Sequence, residues 1–220
     1  MARDEPSVRA GVTPELLLQA YVQGIFPMSD GAGEEDIFWV DPRLRGILPL
    51  DGFHLSRSLR RRIRATPFEI TFDQDFAGVL GGCADREETW INPVIADLYL
   101  RLHERGVAHS IEVHEEGALV GGVYGVTLGG AFFGESMFSV RRDASKIALV
   151  YLIDRLRENG FTLFDTQFVT DHLVTLGAIE IPRDEYRTRL SSALLRRVRF
   201  DASAPIPSPD HLLQRMTQTS

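Results

Sequence analysis

The sequence predicts an α+β protein: a small N-terminal module over residues 1–52, a larger mixed-sheet domain over 53–200 and a C-terminal tail over 201–220. Three observations predict it. The stretch 24–50, "GIFPMSDGAGEEDIFWVDPRLRGILPL", is crowded with Gly, Pro and aromatics and reads as loop with short extended pieces. From Ala108 to Val140 the apolar residues recur every second position, in "AHSIEVHEE", "ALVGGVYGVTLGG" and "AFFGESMFSV". On both sides of that run lie capped segments with helical spacing.

Taken in order, the first helix spans Thr13–Gln23, with Thr13 as N-cap, Pro14 at the first helical position and Gly24 as its stop. A basic helix follows at about 55–65. A strand at Phe68–Phe72 precedes a helix from Asp75 to Cys83, and a loop bearing Trp90 leads into an amphipathic helix, Asn92–Arg105, closed by Gly106. The three period-two runs are consecutive antiparallel strands. After them come a helix over Asp143–Asn159, stopped by Gly160, and the strand "FTLFDTQFV". The last helical part, "DHLVTLGA" and "PRDEYRTRLSSALLRRV", has Asp171 as its expected cap and Pro182 at the start of its second piece. The final residues, with three prolines, read as a tail.

Composition narrows the function classes. Hydrophobic residues make up 44% and charged residues 25%, as in a soluble globular domain, and the length suffices for a core without disulfides or metals. Cys83 is the only cysteine, so no internal disulfide forms, and its expected role is a small buried hydrophobe. No apolar run reaches the ~18 residues of a membrane span. "MARDEPSVRAG" lacks the apolar core of a secretory signal, so a cytoplasmic location is expected.

Net charge is −7, which argues against a general nucleic-acid coat. Yet "HLSRSLRRRIRA" places Arg57, Arg60, Arg61 and Arg64 on one helix face. An acidic protein that gathers positive charge on one face is suited to a polyanion there, the alternative being a merely solvated face.

Two acidic positions sit among apolar strand residues. Asp165 and Gln167, two apart, share a strand face, and a carboxylate beside an amide can fix that amide's orientation. Glu135 lies between Phe133 and Met137, either as a surface residue of a half-exposed strand or as the lining of an apolar cleft. The six histidines show no metal-ligand spacing, no G-x-S-x-G or Walker-type loop is present, and Ser136 and Ser139 have no recognisable activating histidine nearby.

The order β-β-β-α-β-α after residue 108 is the layout of the acyl-CoA N-acyltransferase (GNAT-type) core. That core holds the CoA pyrophosphate on a glycine-rich loop opening the helix after the third strand. Here the junction is "SVRRDASK", with no glycine, so an acyl donor other than CoA is expected.

The segments "AYVQGIFPM", "FWVDPRLRGILP", "REETWI", "AHSIEV", "LVGGVYGVTLGGAFFGESMFS", "DASKIAL" and "FDTQFVTDHLVTLGAIEIPRDEY", in this order over about 13–190, resemble the leucyl/phenylalanyl-tRNA–protein transferase family. The resemblance implies a bacterial cytoplasmic enzyme that moves Leu or Phe from Leu-tRNA or Phe-tRNA to the N-terminal Arg or Lys of a protein, creating an N-degron. It implies an acyltransferase fold without CoA and no metal or organic cofactor; a monomer is expected. It assigns Asp165 and Gln167 to the family's catalytic pair, with Asp165 orienting Gln167 and the Gln167 carbonyl oxygen meeting the attacking amine. Glu135 is expected to meet the positive charge of the acceptor residue or its α-ammonium group. Val123, Phe132 and Ser139 are expected to form the aminoacyl pocket. Trp90, Tyr21, Tyr99 and Met28 would contact the 3′-terminal adenosine, and Arg57, Arg60, Arg61 and Arg64 the tRNA backbone. Met28 and Phe38 stand where some members have Trp, and Val123 where a larger Met is found. A CoA-dependent N-acetyltransferase and a tRNA- or N-degron-binding module without turnover are the alternatives.

Overall fold

A computed structural model of the chain describes residues 12–31, 36–65, 68–86 and 89–217. Helix α1 (Pro14–Val22) opens where Thr13 Oγ1 accepts the Leu16 N–H at 3.2 Å. Gly24 then takes the left-handed conformation (φ 79°) that reverses the chain, and a side chain there would strike Tyr186. Strands β1 (Phe26–Met28) and β2 (Phe38–Val40) form a two-stranded ribbon.

The main sheet has seven strands. They are β3 (Leu44–Ile47), β4 (Glu69–Phe72), β5 (Ala108–Glu115), β6 (Ala118–Leu128), β7 (Ala131–Ser139), β8 (Leu163–Gln167) and β9 (Ile179–Pro182), in the spatial order β4-β5-β6-β7-β8-β3-β9. Only β7 and β8 pair in parallel. The chain reaches β8 from β7 through helix α5 (Ala144–Glu158), as a parallel neighbour requires.

Strand β3, from the stretch that the sequence reading expects in an N-terminal module, lies between β8 and β9 in the main sheet. The two-stranded ribbon, by contrast, stays outside the main sheet. Strand β9 was not anticipated from "IEIP": four residues ending in Pro give little alternation, and pairing with β3 makes the strand.

Two apolar layers cover the sheet. On one side lie α2 (Arg57–Ala65), α5 and α8 (Pro209–Thr217); on the other, α1, α3 (Phe76–Ala84), α4 (Pro93–Glu104) and α7 (Arg183–Leu194). Asp75 and Asn92, where the sequence reading begins these helices, cap α3 and α4 with their side chains. One capping expectation fails. The cap of the short helix α6 (Asp171–Val174) is Thr170, not Asp171. Asp143 precedes α5 in a left-handed conformation without capping it by its side chain.

Residues 201–220, read as a tail, contain α8, whose Leu212, Leu213 and Met216 are buried in the first layer. Buried Arg155 of α5 holds the approach to it, donating to the carbonyls of Asp201, Ala204 and Pro205 while lying 4.4 Å over the Phe72 ring. The prolines that suggested a tail shape this clasped segment.

Candidate active site

Strands β7 and β8 pair only through Ala131–Leu163, Phe132–Phe164 and Phe133–Asp165, and then part. A bulge lies at the parting on each side. Between β6 and β7 the register runs from Gly125–Gly134 to Tyr124–Ser136, leaving Glu135 as the extra, unpaired residue. Between β3 and β8 it runs from Ile47–Asp165 to Gly46–Gln167, leaving Thr166 unpaired. Bulges bend a strand and re-aim its side chains. Here they splay the parallel pair and open a cleft of about 310 Å³ lined by both strands, by β1 and by α5.

The bulge explains how a carboxylate sits in a core-like strand. Phe132 and Met137 pack into one layer, and Phe133 and Phe138 into the other, although each pair is five apart in sequence. Strict alternation would put such pairs on opposite faces. The extra residue absorbs the difference, and Glu135 lines the cleft.

Both Glu135 oxygens are engaged. Tyr21 Oη donates to Oε1 and Tyr99 Oη to Oε2, each at 2.7 Å, and Gln167 Nε2 donates to Oε1 at 3.3 Å. Burial pushes the Glu135 carboxyl up to about 7, against the opposing pull of the two phenol donors.

Asp165 lies fully buried behind Gln167. Arg45 grips it with two hydrogen bonds, Nε–Oδ1 at 2.9 Å and Nη2–Oδ2 at 2.6 Å, and Tyr186 Oη donates to Oδ2 at 2.7 Å. The Arg45 guanidinium is sandwiched 4.5 Å from the rings of both Phe26 and Tyr186 and also donates to the Gly24 carbonyl. Asp165 does not hold the Gln167 amide. It accepts the Gln167 backbone N–H at 2.8 Å and so fixes the left-handed turn (φ 57°) that aims that side chain. The amide is oriented instead by Glu135, which leaves its carbonyl oxygen for a ligand.

Of the expected aminoacyl-pocket residues, Val123 lines the cleft, joined by Met137, Leu149, Phe164 and Leu173. Phe132 does not, being fully buried edge-on to Phe164 at 5.1 Å. Ser139 lies beyond the cleft, donating to the Arg141 carbonyl and accepting the Ser145 N–H. Trp90 and Met28 sit at the cleft's wall. Tyr21 and Tyr99 have no exposed surface on which to stack an adenine, and their hydroxyls are spent on Glu135.

Arg45, Tyr186, Phe168 and Arg86 are site residues that sequence reasoning missed. An arginine inside the apolar strand "LRGILP" was the available signal for Arg45, and an aromatic directly after Gln167 was that for Phe168. Arg86 lines the cleft and donates to the Met137 carbonyl.

The mouth of α5 is not a phosphate cradle. The N–H groups of Ala144 and Ser145 are taken by the Arg141 carbonyl and Ser139 Oγ, and the Asp143 carboxylate stands at the helix start beside Arg142 and Lys146. Cys83 is buried and its thiol is pushed up to about 12 by that burial, so it is not a nucleophile at neutral pH. Among the described residues, no cluster of His, Cys, Asp or Glu is placed to hold a metal ion, and no helix is long and apolar enough to cross a membrane. On α2, Arg57, Arg60, Arg61 and Arg64 do share one surface; Arg64 pairs with Asp210 at 2.8 Å, both largely exposed.

A mixed sheet that splays around one parallel pair, with a carboxylate and an amide converging on an apolar cleft, defines an enzyme of the acyltransferase fold class. Sequence comparison narrows that class. The family described as leucyl/phenylalanyl-tRNA protein transferase matches residues 47–191, and its N-terminal domain matches 11–43. Leucyl/phenylalanyl-tRNA–protein transferases from Cereibacter sphaeroides and Ruegeria pomeroyi are each 61% identical, over 95% and 94% of this chain and 98% of their own lengths. One from Roseobacter denitrificans is 60% identical over 95% of this chain and 99% of its own. This chain belongs to the leucyl/phenylalanyl-tRNA–protein transferase family.

Proposed function

We propose that this enzyme carries Leu or Phe from the 3′ end of charged tRNA to the α-amino group of an N-terminal Arg or Lys, acting as a cytoplasmic monomer whose product is an N-degron. The observation that carries this reading is the cleft: its inner wall is apolar, and the Gln167 carbonyl and Glu135 stand together at its edge. Val123, Met137, Leu149, Phe164 and Leu173 suit a side chain unbranched at Cβ with a broad apolar end. That description covers Leu and Phe and disfavours Val and Ile. Met28 and Trp90, with Phe168, offer surface for the terminal adenosine, where stacking contributes about 1–3 kcal/mol per base. The α2 arginines would contact tRNA phosphates without regard to sequence.

An ester becomes an amide in this reaction, so the chemistry runs downhill and needs no protein nucleophile. Gln167, aimed by the Asp165-fixed turn and by Glu135, accepts an N–H of the attacking amine and holds it against the ester carbonyl. Such positioning supplies up to about 7–11 kcal/mol of the barrier. Arg45 and Tyr186 hold Asp165 in place with three hydrogen bonds.

The test uses Leu-tRNA carrying labelled Leu, with a peptide bearing N-terminal Arg as acceptor. The wild type should move label to the peptide, whereas Asp165→Ala and Gln167→Ala should lose most of the rate. Label that stays on tRNA despite tight, salt-sensitive binding would leave a binding module without turnover. Acetyl transfer from acetyl-CoA would restore the CoA-dependent alternative.

A further inference from the structure

We propose that Glu135, closed into a ring with Tyr21 and Tyr99, is the base that receives the proton released by the acceptor's α-ammonium group. The proposal rests on the aminoacyl-transfer reading above and assigns that reaction its proton acceptor.

Hydrogen counting in the ring carries the argument. Three oxygen–oxygen contacts of 2.7 Å close it: Tyr21 Oη to Glu135 Oε1, Tyr99 Oη to Glu135 Oε2, and Tyr21 Oη to Tyr99 Oη. Each contact of this length holds one hydrogen. With Glu135 ionised, the two phenols supply two hydrogens, both to the carboxylate, and the Tyr–Tyr contact is empty. With Glu135 protonated there are three hydrogens for three contacts, and the ring closes head to tail. The carboxyl therefore gains or loses a proton through rotation of hydroxyls, with the Tyr21–Tyr99 contact relaxing when its hydrogen is withdrawn. Tyr21 and Tyr99 remain protonated throughout, since burial and the neighbouring Glu135 both push their phenols well above the ordinary range.

The ring has one opening. Tyr21 and Tyr99 are fully buried, while Glu135 lines the cleft beside Gln167. The surrounding charge favours a poised carboxyl. On β3 and β8, Arg45 is neutralised by Asp165, itself capped by Tyr186 of α7. From β6 comes the Tyr124 phenol, which has no hydrogen-bond partner among the described residues. From α3 and the turn after it come Cys83, raised and neutral, and Arg86 at the cleft wall. Among the described residues no free cation is buried against Glu135, and its resulting value of about 7 lies close to the ~7.7–8.0 of a terminal amine.

The step balances. The α-ammonium gives one proton to ionised Glu135 and becomes the amine. Its nitrogen attacks the ester carbonyl, forming the C–N bond. As the C–O bond to the ribose breaks, a second N–H proton goes to the departing ribose oxygen. The amide keeps the third hydrogen, and Glu135 passes its proton to water before the next turnover.

The deciding experiment is the pH profile of initial transfer rates, as kcat/KM for an N-terminal Arg peptide, in the wild type, Glu135→Gln and Glu135→Asp. The wild type should show an acid limb near 7. Glu135→Gln should lose about tenfold at pH 6.5 and recover to within about threefold at pH 9, where the amine is already neutral, its limb moving to that of the amine. Glu135→Asp, which keeps an acid, should retain a limb below that of the amine. The acceptor's guanidinium stays charged at pH 9, so an equal loss at both pH values would make Glu135 a charge partner or a structural group and overturn the proposal. No loss at either pH would overturn it as well. A wild type that transfers no label would instead overturn the reaction on which the proposal rests.

Discussion

Gln167 Nε2 donates to Glu135 Oε1 at 3.3 Å across the gap where β7 and β8 part. Both residues stand at a bulge, and neither is aimed by its strand alone. The bond ties together two backbones that have stopped pairing and turns the Gln167 carbonyl toward the cleft. Gln167→Ala should lower kcat by about 100-fold, the scale for one oriented polar group at a reacting centre, with little change in either KM. Single-turnover rates with saturating charged tRNA would show it.

Buried charges make the Arg45–Asp165 pair a structural weak point. Arg45→Met and Asp165→Asn should each destabilise the fold by about 3–5 kcal/mol, because each leaves its partner buried and uncompensated. The double variant should lose much less than the sum. Urea midpoints of the three variants give the coupling directly.

Stability should also depend on pH through Glu135. Its carboxyl rises from an ordinary 4.5 to about 7 in the folded chain, so between those values the folded chain holds a proton that the unfolded chain has released. Stability must then fall as pH rises across that window and level off above it. Glu135→Gln should remove this slope, and urea midpoints at pH 5 and pH 7.5 should converge relative to the wild type.

Positive charge on α2 should matter to one substrate only. Replacing Arg57 and Arg61 with Ala should weaken charged-tRNA binding and flatten its dependence on log salt, by about one unit of slope for each phosphate no longer neutralised. KM for the acceptor peptide should not move.

The C-terminal helix should behave as core. Leu212→Ala should cost about 2–5 kcal/mol, as for other fully buried Leu residues, and lower the thermal midpoint without altering the transfer rate at low temperature.

How much of this was legible in the sequence depended on how local the signal was. The capped helices α1, α3 and α4, and the three antiparallel strands, are written in neighbouring residues: Thr13 with Pro14, Asp75, Asn92, the period of two after Ala108. Strands β3 and β9 were not readable, since four residues each become strands only by pairing with one another and with β8. Helix α8 was hidden by the prolines before it and by dependence on Arg155 and α5. Within the site, Gln167, Glu135, Val123, Met28 and Trp90 line one cleft, and Asp165 lies buried behind it. Tyr21 and Tyr99 went astray because an aromatic's stacking surface and its hydroxyl look alike in a sequence, and only burial tells which is in use. Arg45 needed the tertiary fold to reveal its carboxylate.

The unpaired residue in β7 has a consequence for what kinds of change the strand will tolerate. Its two ends are in different frames, and position 135 is the spacer that sets one against the other. Exchanging the side chain there alters the cleft and spares the layers. Removing the residue would leave the cleft one carboxylate poorer and would also invert every later side chain, turning Met137 and Phe138 toward the wrong layers. Identity at 135 is a question of chemistry, whereas the residue count through 135 is a question of whether the sheet forms, and the two fail independently.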